Sequence, residues 1–111
     1  MFGLFGRGEV RDVTPEELAE GLAADKILLI DVREPNETAR ERIVGALLAP
    51  LSQFDPVDLP DPNGRVVVFT CASGIRSIKA AEIAQAAGLA FDAHLAGGIK
   101  AWKAAGLPVE T

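Results

Sequence analysis

Cys71 is the single cysteine of the chain, and Ala72-Ser73-Gly74-Ile75-Arg76-Ser77 follows it directly. The thiolate is the nucleophilic form of cysteine, so the chemistry available here depends on what favours a charged sulfur. A segment this short can curl into a cradle in which the backbone N–H groups from Ala72 to Ser77 converge. A helix starting at its far end adds a positive terminus. Gly74 supplies the backbone freedom, positive φ included, that a tight loop needs. Arg76, at the loop's end, contributes a cation. Such surroundings lower a free cysteine's pKa of about 8.5 to roughly 3.5–7.5. On this reading no separate base is needed at neutral pH, which suits a chain whose one histidine, His94, lies at a distant position. A lone cysteine is ordinarily a small buried hydrophobe. The anion-binding neighbourhood of Cys71 favours a reactive thiol instead.

The elements on either side must hold this loop. Arg65–Thr70 is an unbroken β-branched and apolar run, a strand that delivers Cys71 to its carboxyl end, where α/β sheets bind ligands. Ser77–Ala87 has helical composition and stops at Gly88. Lys26–Asp31 reads as a second strand buried on both faces. Short strands are expected at Val10–Val13, Ala46–Ala49 and Ala90–Leu95. Thr14, Pro15 and Glu17 form a capping box that opens a helix running to about Leu22. Arg33–Glu37 begins a short polar helix or turn reaching about Arg42, and Pro50–Gly64 is a proline-rich loop over the sheet edge. Gly97 and Gly98 permit a tight turn into a last helix through Trp102. Strands and helices alternate, which predicts an α/β fold with a mostly parallel central sheet of about five strands and helices on both faces.

Four segments in this order resemble rhodanese-type sulfurtransferases. Cys71-Ala72-Ser73-Gly74-Ile75-Arg76-Ser77 is similar to their active-site loop, and Asp31-Val32-Arg33-Glu34 to their Asp-Val-Arg motif. Ile43-Val44-Gly45-Ala46 with Pro50 resembles their Ile-Pro-Gly-Ala segment. Leu95-Ala96-Gly97-Gly98 through Trp102 resembles their Leu-x-Gly-Gly-x-x-x-Trp element. The resemblance spans about residues 10 to 106 and implies a rhodanese-like fold. It also implies a two-step cycle: Cys71 takes sulfur from a small donor such as thiosulfate or a persulfide, then yields it to cyanide in an assay or to a thiol or sulfur-relay protein. In that cycle Cys71 is nucleophile and carrier. The loop amides from Ala72 through Ile75 to Ser77 cradle the persulfide, Arg76 binds the anionic donor, and Ser73 or Ser77 adds a hydroxyl. Asp31 and Arg33 support neighbouring loops, with Gly97 and Gly98 beside the mouth. A non-catalytic binding or sulfur-relay module is the alternative. Cysteine phosphatases place five residues between cysteine and arginine. Here there are four, a loop suited to a sulfane sulfur. Arg42 and Val44 depart from the family's usual His and Pro, at positions that read as structural.

The chain's 111 residues suffice for one domain, expected over residues 10–111 behind a flexible segment 1–9. A net charge of -5 argues against nucleic acid and against an anionic membrane surface. One cysteine and one histidine argue against a conventional metal centre, and no cofactor is expected. A cytoplasmic location follows by default. The segment led by Phe2 and Phe5 reads as a frayed terminus, with a docking peptide as the alternative. His94 reads as an ordinary packed or surface histidine, Trp102 as a core residue, and Lys100 and Lys103 as solvated charges or a weak attraction for anionic donors.

Overall fold

The computed structural model describes residues 9–111. Of the segment 1–9 expected to be flexible, residues 1–8, with Phe2 and Phe5, therefore lie outside the described residues. Five strands form one sheet: β1 Arg11–Val13, β2 Ile27–Asp31, β3 Leu47–Leu48, β4 Val66–Thr70 and β5 Ala93–Leu95. Their spatial order is β1-β5-β4-β2-β3, and every neighbouring pair is parallel. Three helices lie between them and a fourth follows β5: α1 Pro15–Ala23, α2 Pro35–Thr38, α3 Ile75–Ala86 and α4 Gly98–Ala104. This is the α/β architecture that the alternation of segments predicts. Among the described residues no helix is long and apolar enough to cross a membrane.

β2 and β4 are the centre of the sheet, paired in register from Ile27↔Val66 to Asp31↔Thr70. Both are apolar almost throughout because both faces are covered. Alternation along each strand sorts side chains into two layers. Leu28, Ile30, Val67, Phe69 and Cys71 pack with Ala80, Ala81 and Ala84 of α3. The small alanines let that helix lie close to the sheet. Leu29 and Val68 point the other way, into a cluster with Leu18 of α1 and Ile99 and Trp102 of α4. Equal registers end β2 and β4 side by side, so Arg33 and Cys71 emerge at one edge.

Thr14 caps α1 with the full reciprocal box: its hydroxyl accepts from Glu17 N, and Glu17 Oε1 accepts from Thr14 N. The segment expected as a short helix or turn reaching about Arg42 is a helix over Pro35–Thr38 followed by a turn, and Arg42 then forms an antiparallel bridge with Glu110. Two boundaries differ from the sequence reading. α3 starts two residues earlier than expected, at Ile75, because Gly74 (φ 103°) turns the chain directly into it. β5 begins at Ala93, not Ala90, since Leu89 N still bonds back to Ala84 O and keeps that stretch with the end of α3. The loop after β3 contains two 3-10 turns, Leu51–Gln53 and Pro56–Asp58. It lays Phe54 edge-on against Phe69, with ring centroids 5.7 Å apart.

Candidate active site

The β4–α3 loop wraps around the Cys71 sulfur. Gly74 N lies 3.1 Å and Ser77 N 3.3 Å from Sγ, both donating to it. The Ser77 hydroxyl is 3.5 Å away on the same sulfur. Cys71 itself is 1% exposed. Burial pushes the thiol's pKa up. The Ser77 hydroxyl, the Ser77 and Gly74 amides and the Ser73 amide more than offset it, and the net displacement is below the ordinary thiol value. The loop thus stabilises negative charge on a sulfur removed from water, the electrostatics of an anion cradle.

The loop is pinned from behind by α4. Ile99 N donates to Cys71 O at 2.9 Å, and Lys100 N to Ala72 O at 3.1 Å. Gly98 (φ 62°) makes this approach possible: a Cβ there would sit 2.4 Å from Cys71 O and 2.6 Å from Ala72 C. The expected turn at Gly97 and Gly98 is therefore also a contact surface for the active loop.

The polar neighbours are distributed differently from the sequence reading. Arg76, expected to face the donor, forks onto Glu37 instead, with Nη1 and Nη2 at 2.7 and 2.9 Å from the two carboxylate oxygens. Asp31 and Arg33 form a buried pair at 2.8 Å, and the same Arg33 nitrogen donates to Glu41 O at 2.9 Å. They tie the end of β2 to the chain beyond α2. Neither is among the groups bonded to the sulfur. Ser73 is exposed, and Ile75 is 77% exposed on the rim. A shallow mouth of about 190 Å³ opens beside Ala72, lined by Arg33, Arg40, Lys100 and Lys103 with Glu37 and Glu41. Arg33, Lys103, Glu37 and Glu41 are engaged in ion pairs. Arg40 and Lys100 have no ion-pair partner among the described residues. A larger hollow, about 460 Å³ between Val57 and Phe91, lies away from this loop.

The residue that sequence reading misplaced is His94. Far from distant, its ring lies directly behind Ser77: Nδ1 is 2.8 Å from Ser77 Oγ, and Nε2 is 2.8 Å from Asp12 Oδ1. Register explains the meeting. Asp12 pairs with His94 across β1 and β5, and His94 pairs with Phe69 across β5 and β4. Residues in register share a face, so all three face α3, as Cys71 does. The sequence signal available was a polar residue near the carboxyl end of each of two short strands. It became legible only once the strand order was known.

A match to the rhodanese-like domain family covers residues 14–105. An uncharacterized protein of Synechocystis is 41% identical over 96 residues, which are 86% of this chain and 54% of the relative, so the chain spans about half of that protein's length. A sulfurtransferase of Allochromatium vinosum is 36% identical over 102 residues, covering 90% of this chain and 94% of its own. Among solved structures, the human single-domain sulfurtransferase TSTD1 superposes with a TM-score of 0.73 at 28% identity, over 86% of this chain and 96% of its own.

Proposed function

The chain belongs to the rhodanese-like domain family, and on that footing we propose that it takes sulfane sulfur from an anionic donor such as thiosulfate as a Cys71 persulfide and passes it to a thiol. Sulfur transfer is the family's chemistry; the donor, the acceptor and the roles of individual residues are our reading. The observation that carries it is the pair of amides, Gly74 N and Ser77 N, aimed at a buried Sγ.

In the first step the Cys71 thiolate attacks the outer sulfur of thiosulfate. The new bond is Cys71 Sγ–S, the donor S–S bond breaks, and sulfite leaves with its electron pair. The persulfide's terminal sulfur then carries the negative charge. The N–H groups of Ile75 and Arg76, in the first turn of α3, have no intrahelical acceptor and are the donors available to it. In the second step an acceptor thiolate, or cyanide in an assay, attacks that terminal sulfur and Cys71 thiolate departs. Oriented amides need no reorganisation as the charge moves. Arg40 and Lys100 at the mouth favour anionic donors, a task the Glu37-bound Arg76 no longer performs alone.

The test is intact mass after incubation with excess thiosulfate and desalting. The expected result is a gain of one sulfur, about 32 Da, on the wild type and none on Cys71→Ser. If neither thiosulfate nor a persulfide donor leaves an adduct, sulfur transfer through Cys71 is ruled out and the chain acts as a binding module.

A further inference from the structure

A buried thiol that must ionise needs somewhere to send its proton. Cys71 is 1% and Ser77 0% exposed, so bulk water does not reach the S–H directly. From the sulfur, three contacts lead outward: Sγ to Ser77 Oγ at 3.5 Å, Oγ to His94 Nδ1 at 2.8 Å, and Nε2 to Asp12 Oδ1 at 2.8 Å. The first two side chains beyond the sulfur are buried, and the last, Asp12, is 73% exposed. A carboxylate only accepts hydrogen bonds, so the ring nitrogen facing Asp12 carries the hydrogen and Nδ1 is left as the acceptor for the Ser77 hydroxyl. The Ser77 oxygen is then free to accept from the thiol.

We propose that His94 is the proton acceptor for Cys71, reached through the Ser77 hydroxyl and held in its working tautomer by Asp12. Two transfers accomplish it. The Cys71 S–H bond breaks as its proton bonds to Ser77 Oγ, while the original Ser77 O–H proton bonds to His94 Nδ1. The products are a thiolate, an unchanged serine whose hydroxyl now donates to sulfur, and an imidazolium beside a carboxylate. No electrons change hands. When the acceptor thiol later displaces Cys71, the same path returns a proton to the released sulfur. Ser77 touches the reacting atom; His94 and Asp12 act through it as positioning residues. Of the other charged groups on the packed elements, Arg11 pairs with Asp92 and Arg76 with Glu37, while Lys79 and Glu82 of α3 are exposed to solvent. Asp12 and Cys71 are thus the titratable groups that His94 faces. The inference rests on Cys71 being the working nucleophile of the proposed function.

Alkylation by iodoacetamide reads the thiolate without any sulfur donor. Its rate is measured from about pH 5 to about pH 10 for the wild type, His94→Gln and Asp12→Asn. In His94→Gln the midpoint of the rate profile is expected to rise by about one pH unit, a loss of about tenfold at neutral pH that disappears in alkali. Asp12→Asn is expected to move the midpoint in the same direction by less. Superimposed midpoints, or a loss by the same factor at every pH, would overturn the proposal and leave His94 a packing residue. Should His94→Gln fail to fold, the exposed Asp12→Asn decides the question alone, by the same criterion. Failure to load sulfur from thiosulfate leaves this outcome readable, so the two ideas fail separately.

Discussion

Glu37 and Arg76 show how a residue named from a motif can be redirected by its surroundings. The guanidinium fork, aided by the Glu34 amide and the charge of Arg33 and opposed by partial burial, holds the Glu37 carboxyl at about 2 rather than 4.5. A depressed carboxyl stabilises the fold fully above its unfolded value and loses that contribution as pH falls through the folded one. The shift corresponds to about 3 kcal/mol, reduced to about 1–2 kcal/mol because a quarter to a third of each side chain meets water. Glu37→Gln should therefore lower urea-unfolding stability by about 1–2 kcal/mol at neutral pH. The deficit should shrink below about pH 4.5 and vanish near pH 2, and a constant deficit would show that packing, not charge, matters there. At this scale the sequence was informative about Cys71 and its loop because the carrier signals are contiguous: strand, cysteine, glycine, helix. It was uninformative about Glu37 and His94, which meet their partners 39 and 17 residues away. No local pattern encodes those pairings.

Elements were legible where local chemistry decides them. The capping box of Thr14 and Glu17, the apolar runs of β2 and β4 and the stop at Gly88 rest on neighbours within a few residues. Boundaries set by tertiary bonds were not. The start of α3 depends on how the loop closes on sulfur. The junction of α4 with the active loop is the sharpest instance: Gly97-Gly98 reads as a turn, while its contact with the Cys71 carbonyl requires knowing that β5 lies beside β4. Gly98→Ala places a methyl group into that carbonyl at a positive φ, a strain of about 1–3 kcal/mol. The expected outcome is a lower thermal midpoint together with slower Cys71 alkylation, because the loop must shift to make room. A midpoint that falls with alkylation unchanged would show that the loop tolerates displacement of α4.

For the molecule as a whole, the parallel order β1-β5-β4-β2-β3 gathers the working parts at one edge of the sheet: Arg33 after β2, Cys71 after β4, Asp12 and His94 near the ends of β1 and β5. The fold class was readable from the alternation of segments, since parallel strands require long crossover connections that are usually helical. The spatial order, on which the His94 contact depends, was not. One consequence of the α4 junction is optical. Trp102 is the chain's single tryptophan, and there is no tyrosine. It is buried in the core, and its indole N–H donates to Pro108 O at 2.8 Å. It stands one helical turn beyond Ile99, whose amide holds the Cys71 carbonyl. Ultraviolet emission from this protein is thus the signal of one fluorophore, wired through a single helical turn to the sulfur loop. Loading Cys71 should change that emission in the wild type and leave Cys71→Ser dark to the donor, so turnover can be followed in real time without a label.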